Sequence, residues 1–379
     1  MPCRLREKKA RPTAQKMTEK KNLFLRIPEF LGRDGEVCLA VLIKASGSTP
    51  QVPGSAALFS GSGLLLGTLG GGILEAEAGK KAVGTLESGG RRPLLLEIRL
   101  EAEFGEKNGA VCGGSAAVLI DPAVRESAAA FIGARRSLLD RRPGVFLTLI
   151  EHPSSPEIRL SRRWVPENDF GNLDDIGFPG FDDQIRKAFT DGLPGLFSRV
   201  EREKDFLLFA EPVFPLPRLV IAGAGHIGQA VARLGSLLDF EVTVIDDRPE
   251  YANPGRFPDA DRIVVQDIGR AVAEFPVDRD TYLVIVTRGH SRDADALRAC
   301  VRSSAAYIGM IGSRRKVRLT REEFLKNGWA SPEEMERVRS PIGLEIGSKT
   351  VEEIAVSIAA ELVLVRSQKK GAEFRGHGI

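Results

Sequence analysis

PRLVIAGAGHIGQAVA, residues 217–232, sets a β-rich apolar run directly against a glycine turn and a helix-forming segment. The glycines fall as Gly223-x-Gly225-x-x-Gly228. Taken alone that spacing is a weak signal, but here it ends an expected strand and opens an expected helix. Gly223 and Gly225 permit a tight turn and close backbone approach, Gly228 lets helix pack on strand, and the helix start offers free N–H groups to a pyrophosphate. The following strand, EVTVID (241–246), ends in Asp246, where a carboxylate can hold a ribose diol. Arg248, two residues on, could instead take a ribose phosphate or another anion. The competing reading is a turn that serves packing and holds no ligand.

Working outward, short apolar runs alternate with helical segments. Strands are expected at 218–223, 241–246, 262–265, 282–287 and 305–312, with helices at 226–238 and 292–303. Such alternation implies an α/β fold whose C-terminal part, residues 218–379, is a Rossmann-like parallel sheet with helices on both faces. Thr350 and Glu353 form a capping box ahead of the apolar face Ile354, Ile358 and Leu362, which predicts a last helix. Upstream, three prolines (Pro212, Pro215, Pro217) suggest a stiff linker at 212–217. Residues 22–211 read as a separate mixed α/β domain. Its expected strands are 37–45, 93–100, 115–120 and 144–150, a strand from 63 breaks at Gly70-Gly71-Gly72, and helices cover 75–83 and about 123–140. Residues 152–183, rich in Pro, Gly, Asn and Asp, read as a long surface excursion, and residues 1–21 as a disordered basic tail in which Met17 is an alternative start.

Composition removes several classes of function. The 379 residues are 42% hydrophobic and 28% charged, too long for one ordinary domain and too balanced for disorder. The formal charge of +3 is misleading. Residues 1–21 carry eight cationic side chains against Glu7 and Glu19, a local +6, which leaves −3 on residues 22–379. A slightly acidic body advertises no nucleic-acid surface. No run of about 18 apolar residues is present to cross a membrane, and the basic N-terminus lacks the apolar core of a secretory signal. A cytoplasmic protein is expected. The four cysteines (Cys3, Cys38, Cys112, Cys300) form no C-x-x-C pair, and the four histidines (His152, His226, His290, His377) no i, i+4 pair, so no metal site is supported.

Several further residues carry possible chemistry. His226, inside the glycine motif, either places an imidazole beside the phosphate site or simply faces solvent at a helix start. His290, in Arg288-Gly289-His290-Ser291, follows a strand whose C-terminal end faces the ligand crevice of such sheets. Ser313-Arg314-Arg315-Lys316 places three cations and a hydroxyl at a helix start, against the helix dipole, which argues for anion binding over a solvated charge run. Gly70, Gly71 and Gly72, with Glu75 in the following turn, offer a second nest of N–H donors. Cys112, in Ala110-Val111-Cys112-Gly113-Gly114, has glycine neighbours that leave space around the sulfur, although a lone cysteine also packs as a small buried hydrophobe.

Together these segments resemble the XdhC/CoxI family, the xanthine dehydrogenase accessory proteins. The first half matches through ASGSTPQVPGSAAL (45–58), GTLGGGILE (67–75) and VCGGSAAVLI (111–120). The second matches through PRLVIAGAGHIGQAVA, VIDDRP (244–249), AAYIGMIGSRRK (305–316) and SPIGLEIGSKTVEEIAVSIAAELV (340–363). The resemblance implies a cytoplasmic chaperone and maturation factor rather than a catalyst. It would bind molybdenum cofactor, as molybdopterin or its cytosine dinucleotide form, assist its sulfuration and hand it to an apo molybdenum hydroxylase. A cysteine desulfurase as sulfur source and a homodimer are implied partners. Cys112 becomes a sulfur relay or molybdenum ligand, and it stands alone because Ile73 occupies a position where many relatives have cysteine. The phosphates are then expected on the Gly70–Gly72 and Gly223–Gly228 loops and on Arg314, Arg315 and Lys316, in a cleft between the domains. The rival reading is an NAD(P)-dependent oxidoreductase, supported by the glycine motif and Asp246. No Tyr-x-x-x-Lys pair is found, and His290 has no evident partner acid beyond Asp293 and Asp295.

Overall fold

The computed structural model describes residues 22–47, 51–100, 114–155, 157–176, 178, 180–201 and 204–375. They divide into two compact units, Asn22–Pro215 and a C-terminal unit that begins at Leu216.

The N-terminal unit is built on two antiparallel sheets. Strands β1 (Val37–Ser46), β2 (Ala56–Ser60), β3 (Gly63–Gly67), β4 (Leu94–Leu100) and β5 (Gly114–Asp121) form the first, in the order β3-β2-β1-β5-β4. Strands β6 (Gly144–Glu151), β7 (Arg159–Pro166), β8 (Gly195–Glu201) and β9 (Lys204–Val213) form the second, in the order β7-β6-β9-β8. The unbroken apolar run of β1 has a structural cause. Val37, Leu39, Val41 and Ile43 enter one core and Cys38, Ala40 and Leu42 the other, so both faces are buried. Helix α1 (Leu23–Leu31) and helix α3 (Ala128–Leu139) close the first core against the second sheet, while α2 (Gly72–Glu87) covers the other with Leu74, Ala78, Ala82 and Leu86 at four-residue spacing.

Residues 152–183 are not a surface excursion. They contribute β7, and then Phe170, Leu173, Phe178 and Phe181, which are buried with Ile185 of helix α4 (Asp182–Asp191) on the outer face of the second sheet. A 3-10 segment at Glu167–Ile176 spaces these side chains without helical or strand period, which hides them among polar neighbours in the sequence. Pro212 lies within β9 and pairs with Val145, so the chain is still sheet where linker was expected.

The C-terminal unit is a six-stranded parallel sheet: β10 (Arg218–Ala222), β11 (Glu241–Asp246), β12 (Arg262–Val265), β13 (Thr281–Ile285), β14 (Tyr307–Met310) and β15 (Val338–Arg339). Their order is β12-β11-β10-β13-β14-β15, which reverses beside β10 and creates the crevice typical of dinucleotide-binding sheets. Leu219 and Ile221 point to one core, Val220 and Ala222 to the other. Helices α5 (His226–Leu237) and α10 (Val351–Arg375) pack on the first face, and α6 (Ile268–Glu274), α7 (His290–Cys300), α8 (Arg314–Lys326) and α9 (Pro332–Glu336) on the second. The capping box at the start of α10 forms: Thr350 N–H donates to Glu353 Oε2 at 3.0 Å, and Glu353 N–H to Thr350 Oγ1 at 3.2 Å. Among the described residues no helix is long and apolar enough to cross a membrane.

Candidate functional site

The glycine motif lies between the end of β10 and the start of α5, and its three glycines do different work. Gly223 sits at φ +118°, and a Cβ there would lie 2.4 Å from the Val286 carbonyl oxygen. A Cβ on Gly228 would lie 2.0 Å from the Gly223 oxygen. Strand and helix packing therefore demand both. Gly225, the N-cap residue, receives no side-chain cap, and a Cβ there would meet nothing within 4 Å. Packing does not explain this glycine, whereas close approach of a ligand to an open helix N-terminus does.

Asp246, at the end of the neighbouring strand, is almost fully buried, and its carboxylate is already occupied. Oδ1 accepts from Arg248 N–H at 3.1 Å and Arg248 Nε at 2.8 Å, and Oδ2 from Ala224 N–H at 2.8 Å and Arg248 Nη2 at 3.0 Å. Four donors match the four lone-pair sites of a carboxylate. Burial opposes its ionisation, but the Arg248 fork and the two backbone N–H groups outweigh burial and hold the carboxyl below its usual range. Arg248 is further stacked 3.9 Å over the Tyr251 ring. The expected ribose clamp is in this geometry an internal ion pair, and a diol can reach Asp246 only by displacing Arg248.

Around the same strand ends, more cations are committed than the sequence suggests. Arg292 Nη1 bonds Asp247 at 2.5 Å. Asp293, fully buried, accepts from Thr287 N–H at 3.0 Å and Thr287 Oγ1 at 2.5 Å, and its other oxygen holds the Lys316 ammonium. Lys316 thus ties the start of α8 to α7. Ser313 caps α8, accepting from Lys316 N–H at 3.4 Å, and the exposed Arg314 reaches Glu345 at 3.4 Å. Arg315 and Arg288 are exposed cations with no ion-pair partner among the described residues. Asp247, Thr287, Arg288, Arg292 and Asp293 were missed as a group. Their sequence signal is only that they flank the two strand ends beside which Asp246 and His290 stand. His290 opens α7, with its side chain outside the described residues, while Asp293 and Asp295, the acids considered for it, bind Lys316 and Arg298. His226 is exposed at the first position of α5.

The glycine nest of the N-terminal unit is closed from within. Gly70, Gly71 and Gly72 take φ values of +100°, +72° and +61° and turn the chain into α2. Glu75 Oε2 then accepts from Thr68 Oγ1 at 2.6 Å, Leu69 N–H at 2.8 Å and Gly71 N–H at 3.4 Å. The Thr68 hydroxyl and the backbone N–H groups hold this carboxyl below its usual range. The nest therefore carries its own anion. Cys112 lies outside the described residues, and among those residues no group of His, Cys, Asp or Glu could hold a metal ion. The two buried cysteines, Cys38 and Cys300, have thiols pushed up to about 12 by burial and so form no thiolate near neutral pH.

Comparison with known proteins places both units. The model of the XdhC Rossmann domain matches residues 219–362, and that of the XdhC and CoxI family residues 31–99, together more than half of the chain. The chain is 26% identical over 347 residues to a Bacillus subtilis (strain 168) protein named as a probable xanthine dehydrogenase subunit, covering 92% of this chain and 98% of that protein. It is 35% identical over 156 residues to "Uncharacterized protein YqeB" of Escherichia coli (strain K12), covering 41% of this chain but 28% of that protein. A third relative, "Molybdenum cofactor insertion chaperone PaoD" of E. coli (strain K12), is 26% identical over 152 residues, 40% of this chain and 41% of its own length. The crystal structure of a xanthine dehydrogenase from Bacillus halodurans shares the fold, with a TM-score of 0.66 at 23% identity over 91% of this chain and 96% of that one. With its Rossmann sheet, its glycine loop and its N-terminal mixed α/β unit all matched in this way, the chain belongs to the XdhC and CoxI family.

Proposed function

We propose that this protein is a cytoplasmic maturation factor that binds molybdenum cofactor and assists its sulfuration and insertion into an apo molybdenum hydroxylase of the xanthine dehydrogenase or carbon monoxide dehydrogenase type. Gly225 carries the reading: an uncapped helix N-terminus behind a glycine that no packing contact requires, in a family that includes a cofactor insertion chaperone. A phosphorylated pterin, alone or as a cytosine dinucleotide, supplies the anion such an end accepts. Of the cations expected to help, Arg315 is uncommitted, and Arg288 joins it, whereas Lys316 and Arg248 serve internal carboxylates. Cys112 is the proposed relay for sulfur from a cysteine desulfurase, since a thiolate is a soft ligand and a sulfur carrier.

The test is cofactor-release analysis of protein purified from a molybdenum-replete host. A fluorescent oxidised pterin is expected from the wild type, with cytosine nucleotide beside it if the dinucleotide form is bound. Gly225→Val should reduce the pterin recovered by at least about tenfold with an unchanged melting temperature, because its side chain enters open space that a ligand would use. Cys112→Ser should retain pterin and lose sulfido transfer. No pterin from the wild type, together with micromolar binding and turnover of a nicotinamide nucleotide, would give the oxidoreductase reading the place.

A further inference from the structure

In the unit Asn22–Pro215, a carboxyl group stands among apolar side chains with no hydrogen-bond or ion partner among the described residues. Glu211 of β9 lies on the same side of its strand as Phe209 and Val213, which are buried in the core that α1 and α3 close against the second sheet. It lines a cavity of about 20 Å³ whose other polar side chains are Thr148 of β6 and Arg162 of β7. Asp121 of β5 holds Arg162 Nη1, and Arg162 Nη2 is buried without a partner. Among the described residues Arg162 is the one other charged group that lines the cavity, because α1, α3, β1, β2 and β5 present only apolar side chains to it. Ionised, Glu211 would leave a second carboxylate here with no water to solvate it. Protonated, it can share one water with Arg162.

What covers the carboxyl is thin. Gly54, at φ +93°, sits where a Cβ would lie 3.2 Å from Glu211 Oε1 and 3.1 Å from Pro194 Cγ. Its N–H donates to the Leu42 carbonyl at 2.8 Å, and Leu42 N–H donates to the Ser55 carbonyl at 2.9 Å. Ser55 Oγ donates to the Val52 carbonyl at 2.8 Å, while the Val52 side chain is 68% exposed. Residues 51–55 thus bury little apolar surface of their own, the mark of a segment that opens locally. We propose that this segment is a proton-gated cover, closed over neutral Glu211 and lifted when the carboxylate forms, because only the lifted segment admits the water that the charge requires. The sign follows from where each state ionises. Lifted, the carboxyl is hydrated and ionises near its ordinary 4.5, whereas closed it keeps its proton up to about 8. Closure is therefore fully favoured below pH 4.5, weakens about tenfold per pH unit above it, and levels off beyond about 8.

Amide hydrogen exchange of the full chain, corrected for the intrinsic chemical rates, tests this. In the wild type, protection of the Gly54 and Leu42 amides should fall at least about a hundredfold between about pH 5 and 8, and in Glu211→Gln it should stay level. Amides of β6 report opening of the whole unit. A local lift requires Gly54 to exchange faster than they do, and without the dependence on dilute urea that they show. If Glu211→Gln does not fold, Glu211→Leu removes the same charge and carries the comparison. Gly54 protection that is independent of pH in the wild type, or that falls equally in the variant, overturns the proposal. So does a Gly54 amide that exchanges only when β6 does.

Discussion

At the scale of single residues, several polar groups that look available in the sequence are spent on one another. Asp246 and Arg248 are the clearest case, because a carboxylate with four donors has no lone pair left for a ribose. Arg248→Ala should therefore release Asp246 and tighten binding of NADH by about tenfold, read by fluorescence titration. Equal affinity in wild type and variant would mean that Arg248 does not guard the carboxylate. Glu211 poses the opposite situation. It lines a cavity of about 20 Å³ with Thr148 and Arg162, and has no hydrogen-bond or ion partner among the described residues. Arg162 is buried against Asp121 and leaves Nη2 unpaired, so the cavity has room and a donor for one water. Burial pushes the Glu211 carboxyl from 4.5 up to about 8. The folded state thus holds a proton that the unfolded chain has lost. Stability is fully present below pH 4.5, falls as pH rises toward about 8, and levels off above it. Glu211→Gln should flatten that slope in urea melts between these limits, and parallel slopes for the two proteins would sink the assignment.

At the scale of elements, SPIGLEIG (340–347) is a structural clasp that ties the loop after β15 to α10. Glu361 Oε2 accepts from Tyr307 OH at 2.5 Å, a buried bond, and from Gly343 N–H at 2.8 Å, a part-buried one. Gly343 has φ +94°, and a Cβ there would lie 2.4 Å from Ser357 Oγ. Gly343→Ala should cost about 1–3 kcal/mol of stability through strain and crowding, while a chemical melt of Gly347→Ala, where a Cβ meets nothing within 4 Å, should lose less. Equal losses would show that the clasp is not what constrains this loop. Among the elements that the sequence reading does not contain is α1. Asn22 caps it, accepting from Phe24 N–H at 2.9 Å, and Phe24, Leu25, Ile27 and Leu31 enter the core. Its brevity and the internal Pro28 conceal the period, and packing against α3 and against β6, where Phe24 meets Phe146, adds to the cap in stabilising it.

At the scale of the whole molecule, each unit has buried apolar cores of its own among the described residues. Fragments 22–215 and 216–379 should then each fold, giving cooperative melts by circular dichroism when produced separately. A fragment that stays unfolded would show that its core is insufficient alone.

The Rossmann-like sheet is legible in the sequence, because parallel strands buried on both faces must be continuous apolar runs and glycine alone tolerates the turn at 223. The opening at Gly225 followed from the same motif. The sequence could not tell which charges are free. Asp293 and Lys316 are twenty-three residues apart, and Arg292 and Asp247 forty-five, so their pairing depends on strand order and on how the loops converge at the sheet's edge. Local pattern establishes which residues turn and bury. Whether a charge neutralises a neighbour or waits for a ligand is a property of distance, and folding alone sets the distances.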